Sequence, residues 1–209
     1  MKRPLLARPR FETGFSLIEL LVVMILVGAL TTIGLSTMTK TAMSARRTAT
    51  DQFAAAVEQA RTAAITHRKN VILAVAEPRA GDMDQSCRFG LFEVDELPED
   101  GSSLEGRQLQ RWTVMPDGVL FFEGKVEDFR NLADEDPVQL SWKDGQNQAT
   151  VHALAFNPRG GLLWPNGSDP VAVKIGTGTY RNGKPVAASG GGHNSLRIGR
   201  VVARPWIVE

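Results

Sequence analysis

Cysteine occurs once in this chain of 209 residues, at Cys87, so no internal disulfide and no Cys-x-x-Cys metal site can form. Histidine is nearly as scarce. His67, His152 and His193 stand apart, none with a second His or Cys at ligand spacing, and the pattern of a zinc enzyme is missing. Proline is absent between Pro9 and Pro78, which leaves that stretch free of proline breaks. No Gly-x-Ser-x-Gly elbow is present. Long runs of one charge are also lacking, and 43% hydrophobic against 22% charged residues excludes wholesale disorder.

The formal net charge of +1 conceals an uneven distribution. Residues 1–14 hold four bases against one acid, a net of +3. Residues 77–144 hold seventeen acids against seven bases, a net of −10, and residues 145–209 hold seven bases against two acids, a net of +5. Each block reads first as a solvated surface.

What the chain does have is an apolar run. Residues 15–35 contain one ionisable group, Glu19, in a stretch of the ~20 residues that cross a bilayer core as a helix. Lys2, Arg3, Arg8 and Arg10 precede it, which places the N-terminus in the cytoplasm and the bulk of the chain outside. A secretory signal has a shorter apolar region of about 7–15 residues and a small-x-small cleavage site. The nearest candidate here, TAMSA, lacks that pattern.

Glu19 admits two readings. It reaches toward the headgroups from near the helix end, or it is a functional intramembrane group with a partner. An ionised carboxylate at the membrane centre costs at least ~2.5 kcal/mol, and the span contains no Lys or Arg to offset the share that Glu19 bears.

The segment GFSLIELLVVMILVGAL, residues 14–30, resembles the N-terminal signature of type IV pilins and type II secretion pseudopilins. That resemblance implies a leader at 1–14, cut after Gly14 by a prepilin peptidase. It implies that Phe15 becomes the N-methylated mature terminus. Glu19 then pairs with the N-terminal ammonium of a neighbouring subunit during assembly, so the missing cation is created by proteolysis. The domains expected on this basis are a transmembrane helix at 15–35, its amphipathic continuation at 36–70, and a periplasmic β-rich domain at 71–209.

The helix is expected to continue past the span. Ala42, Ala45, Ala49, Phe53, Ala56, Ala60 and Ala64 recur at spacings of three and four, one helical face. His67, Arg68 and Lys69 suit the negative end of the dipole, with Asn70 as the stop. Beyond it, short apolar runs at 71–76, 88–94, 108–115, 118–124, 138–142, 150–157, 170–176, 195–199 and 201–208 read as strands divided by Gly, Pro and Asp turns. The expected fold class is α+β: a long N-terminal transmembrane helix packed on an antiparallel all-β domain, pilin-like. LAFNPRGGL (154–162) and LRIGRVV (196–202) are similar to segments of the GspH/FimT group of minor pilins and pseudopilins.

Other candidate sites have plainer explanations. The Gly-rich stretches 176–183 and 189–195 precede no helical pattern, unlike phosphate loops, and read as hairpin loops. Ser189 and Ser195 beside His193 make no triad by proximity alone. The acidic segments 95–100 and 127–136 lack the calcium-loop spacing. No enzyme, cofactor or metal is expected. The leading expectation is a minor pseudopilin whose partners are prepilin peptidase, sibling pilins or pseudopilins, the inner membrane and exported substrate.

The alternative is a FimT-like minor pilin that binds DNA. Lys174, Arg181, Lys184, Arg197, Arg200 and Arg204 make the C-terminal part basic, and phosphate contacts would come chiefly from Arg197, Arg200 and Arg204. Tyr180 or Trp206 would add base stacking. Members of that group that bind DNA carry Gly-Arg-x-Arg, whereas here Gly199-Arg200 is followed by Val201-Val202. Strand alternation would set Arg200 and Arg204 on one face.

Overall fold

The computed structural model describes residues 17–78, 86–97, 103–143, 145–189 and 192–208, with the backbone alone for 29–40. Two compact units result, Met1–Lys40 and Thr41–Glu209. Helix α1, Leu17–His67, contributes to both.

In the first unit the apolar side chains from Leu17 to Val27 are all exposed, from 48% at Val22 to 84% at Leu17. Among the described residues no helix is long and apolar enough to cross a membrane. The side chains described in the expected span run only from Leu17 to Gly28, twelve residues against the ~20 that a crossing needs.

In the second unit α1 buries one face. Ala49, Phe53, Ala56, Val57, Ala60 and Ala64 are at most 3% exposed, as the three-and-four spacing predicts. Small alanines let the sheets approach closely, and Phe53 fills the space between them. Its ring meets Phe89 and Phe121 edge to face, with centroids 5.6 and 5.2 Å away. The helix ends at His67, where Arg68 takes the left-handed conformation (φ 55°). Asn70, the expected stop, is instead the first strand residue.

The strands in chain order are β1 (Asn70–Ala76), β2 (Arg88–Val94), β3 (Ser103–Gln108), β4 (Thr113–Val114), β5 (Val119–Phe121), β6 (Arg130–Asn131) and β7 (Val138–Trp142). They continue with β8 (Asn147–Phe156), β9 (Leu162–Trp164), β10 (Val171–Arg181), β11 (Lys184–Ala187), β12 (His193–Ile198) and β13 (Pro205–Val208).

Strands β1, β2, β3, β7 and β8 pair in that order, and β8 pairs back with β1, so five strands close a ring. Four of the five pairings are antiparallel, and β3 with β7 is parallel. A ring with an odd number of strands cannot alternate direction all the way round, so one parallel pair is obligatory. The second sheet is built on β10, flanked by β12 and β11 on one edge and by β5 and β6 on the other, with β13 outside β12; β6 also runs parallel to β10. The expected antiparallel domain is therefore a mixed one.

Burial follows the period of two. Along β1, Ile72, Ala74 and Ala76 point into the ring with Phe92, Leu140 and Ala153. Val71, Leu73 and Val75 point out of it, into a second core shared with α1 and the inner face of β10 and β12. Both faces of β1 are covered, which is why its sequence is an unbroken apolar run.

Several expected elements differ, among them 189–195, read as a hairpin loop, where β12 begins at His193. The strand expected at 108–115 is two pieces, β3 ending at Gln108 and the short β4, because β3 alternates charge with small residues and reads as a loop. The stretch 176–183 is not a loop. β10 runs to Arg181 and turns at Asn182-Gly183 into β11. The strand expected at 201–208 begins only at Pro205, after a turn in which Ala203 has φ 49° and is fully buried.

Candidate assembly site and C-terminal arginines

Glu19 lies in the first described turn of α1. Leu17, Ile18, Leu20 and Leu21 surround it, each at least half exposed. Exposure on every side of the helix is a surface that water does not stabilise, and lipid or neighbouring apolar helices would. Gly14 and Phe15, the expected cleavage and methylation positions, lie outside the described residues.

The three C-terminal arginines do not form one surface. Arg197 on β12 donates to Glu127 at 2.7 Å, lies over the Phe129 ring at 4.6 Å and is only 16% exposed. Arg200 donates from Nε to the Asp169 carbonyl at 2.6 Å and from a terminal nitrogen to the Pro165 carbonyl. Burial and the nearby Arg130 push its pKa down. Arg204 is exposed on the turn before β13. The turn at 199–204 is not a strand, so alternation does not govern it. Tyr180 donates to Glu77 at 3.0 Å, whereas Trp206 is 44% exposed and edge-on to Phe129.

Arg130, not singled out in the sequence, works with Arg200. It pairs with Glu135 and donates to the Asn166 carbonyl, so the two guanidinium groups hold the loop at 165–169 from both sides. The motif at 157–161 also has a structural task. Asn157 accepts from the Arg159 and Gly161 N–H groups, both at 2.9 Å, and Gly160 takes φ 80° against Ile65 of α1.

A second group escaped the sequence reading. Glu93 on β2 is 7% exposed and meets His67 Nδ1 at 2.9 Å, Arg107 at 2.9 Å and Lys69 at 3.4 Å. Burial pushes this carboxyl up, but the hydrogen bonds from His67, Arg107 and Lys69 outweigh that and hold it at about 2. The signal was available: Glu93 falls in the same alternation as Phe89 and Leu91, where an apolar residue is expected.

Of the acidic segments weighed for calcium, Glu127 is paired with Arg197, Asp134 accepts from the Gly124 N–H at 2.8 Å and Glu135 is paired with Arg130. Residues 98–100 lie outside the described residues. Among the described residues no group of three His, Cys, Asp or Glu side chains is placed to hold a metal.

Residues 9–35 match the family model of the prokaryotic N-terminal methylation motif, which is typical of type IV pilins and pseudopilins. No curated protein and no solved structure matches the chain. The segment holding Gly14, Phe15 and Glu19 thus carries a pilin-type motif, and the chain is pilin-like at this end.

Proposed function

We propose that this protein is a non-enzymatic structural subunit of a pilin-like fibre, a minor pseudopilin of a type II secretion system. The observation that carries the reading is the methylation motif at residues 9–35, running into an apolar helix with Glu19 in its first turn. Prepilin peptidase cleaves after Gly14, and Phe15 becomes the N-methylated terminus. Its ammonium meets a Glu19 on an adjacent subunit, and the carboxylate and the amine neutralise each other where neither is well solvated. The apolar helix holds the subunit in the inner membrane before assembly, N-terminus in the cytoplasm, with the β-domain in the periplasm. Sibling subunits and exported substrate are the partners of that domain.

Mass spectrometry of the purified mature chain tests the processing step. A terminus at methylated Phe15 is the expected result, and a chain that still begins at Met1 overturns the reading. Glu19→Ala tests assembly. The variant is expected to remain in the membrane fraction and to be missing from sheared fibres; normal incorporation would count against the pairing. The DNA-binding alternative loses support from Arg197 and Arg200, whose guanidinium groups are engaged within the domain.

A further inference from the structure

Most cations of the second unit that the structure ties down have an acid or a carbonyl for a partner. One group does not. Arg46 of α1, Lys174 of β10 and His193 of β12 gather at one end of the second sheet, where β12 begins. Gly176 of β10 is in register with His193 and Lys174 with Ser195, so Lys174, His193, Ser195 and Arg197 share the face turned away from the core. Arg46 is brought up by the helix: a Cβ at Gly192 would lie only 2.6 Å from its terminal nitrogen, so the guanidinium rests against the chain entering β12. Thr50, one turn further along α1, receives a hydrogen bond from Asn194 at 3.3 Å and fixes helix to strand there. None of the three side chains has a hydrogen bond or ion pair among the described residues.

His193 also borders a cavity of about 230 Å³, together with Lys125, Glu127, Ser195, Arg197 and Val208. Lys125 and Glu127 belong to a strap that crosses the sheet face, closed by a bridge between Val126 and Phe129. Glu127, held in the left-handed region at φ 45°, supplies the acid of this lining and is already paired with Arg197. Asp134, beside the strap, is engaged by the Gly124 N–H. Arg197 Nε is buried with no partner among the described residues.

We propose that this corner binds a phosphate group, held by Arg46, Lys174 and His193 with Lys125 closing from the strap. The number and spread of the donors select this chemistry. One carboxylate is satisfied by one arginine fork, whereas a tetrahedral oxyanion with charge on several oxygens accepts from donors on separate elements at once. Arg46 and Lys174 are like charges with no acid paired to either, which is costly when the corner is empty, and an anion removes that cost. His193 feels the crowding: burial, then Lys174 and Arg46, push its pKa down. The shared chemistry has two sources, free phosphate and the phosphodiester of a nucleic-acid strand. The proposal stands apart from the fibre reading, because it uses no residue of the N-terminal motif.

The test follows the three histidine side chains by NMR in the full chain in an uncharged detergent. Inorganic phosphate is added at constant ionic strength, since surface attraction is otherwise screened. The His193 resonances are expected to move saturably and its titration to shift upward, because a bound anion favours the imidazolium, while His67 and His152 stay still. Lys174→Gln is expected to weaken binding about tenfold, the loss of one charge-assisted contact. Lys125→Gln on the exposed strap should weaken it too and leaves the sheet untouched. An oligothymidylate arm separates the sources. Tighter saturation by the strand assigns the site to phosphodiesters, and a response to phosphate alone assigns it to the free anion. If neither moves His193, or if chloride moves it equally, the proposal fails.

Discussion

Glu93 illustrates how one misplaced-looking residue organises its surroundings. A carboxylate on the core-facing side of β2 is tolerated because three hydrogen-bonding side chains from two other segments, two of them cations, converge on it at the point where α1 gives way to β1. A carboxyl whose folded-state pKa lies below its unfolded one stabilises the fold above the unfolded value. That contribution fades as pH falls from about 4.5 towards about 2. Denaturant titrations at pH 7, 4.5 and 3 are expected to show stability falling across that window. Glu93→Gln should flatten the fall and lower stability at pH 7 by about 1–3 kcal/mol, a figure reduced by the exposure of the partners. Phe53 makes the opposite kind of contribution, entirely apolar. Phe53→Ala should cost about 3–5 kcal/mol in the same measurement, since a ring wedged between Phe89 and Phe121 leaves a cavity that neither sheet can close.

Among the elements, those with a clean period were legible and those with a mixed one were not. The face of α1 from Ala49 to Ala64 was plain from spacing alone, and the β2 and β7 segments lie where their apolar runs begin and end. β3 was missed because its pattern, SLEGRQ, buries only Leu104 and Gly106 and exposes charge between them. β11 was missed because three of its four residues are exposed, so nothing apolar announces it. Gly176 and Gly178, which suggested a loop, are there for close approach. A side chain at Gly178 would run into the Val186 carbonyl across the hairpin, and one at Gly176 would strike the Phe122 ring. Gly178→Ala should therefore detach β11, with an expected loss of about 1–3 kcal/mol and faster amide exchange across Gly178–Arg181. The N-terminal methylation motif was equally legible, since it is linear. The partners of Arg197 and Arg200 were not, because they come from residues 70 and about 30 positions away.

At the scale of the whole molecule, β1 is the wall common to both cores and pairs along both edges. Amides of Ile72, Leu73 and Ala74 should exchange only through global unfolding, whereas those of β13, which among the described residues has a partner on one side alone, should exchange through local opening. Native-state hydrogen exchange at rising denaturant distinguishes the two. If β13 and β1 exchange with the same free energy, the domain opens as a single cooperative block.

The parallel seam between β3 and β7 has a temporal consequence. A chain leaving Gln108 must make a detour before it can come back at Val138 in the same direction, and on that detour it donates β5 and β6 to a sheet whose central strand, β10, has yet to be synthesised. β5 and β6 thus wait, unpaired, for a strand made about fifty residues later. A nascent chain that has reached Phe156 holds all five strands of the ring and can hide their inward side chains, whereas the core shared with α1 stays open until β10 and β12 emerge, so the domain matures in two stages.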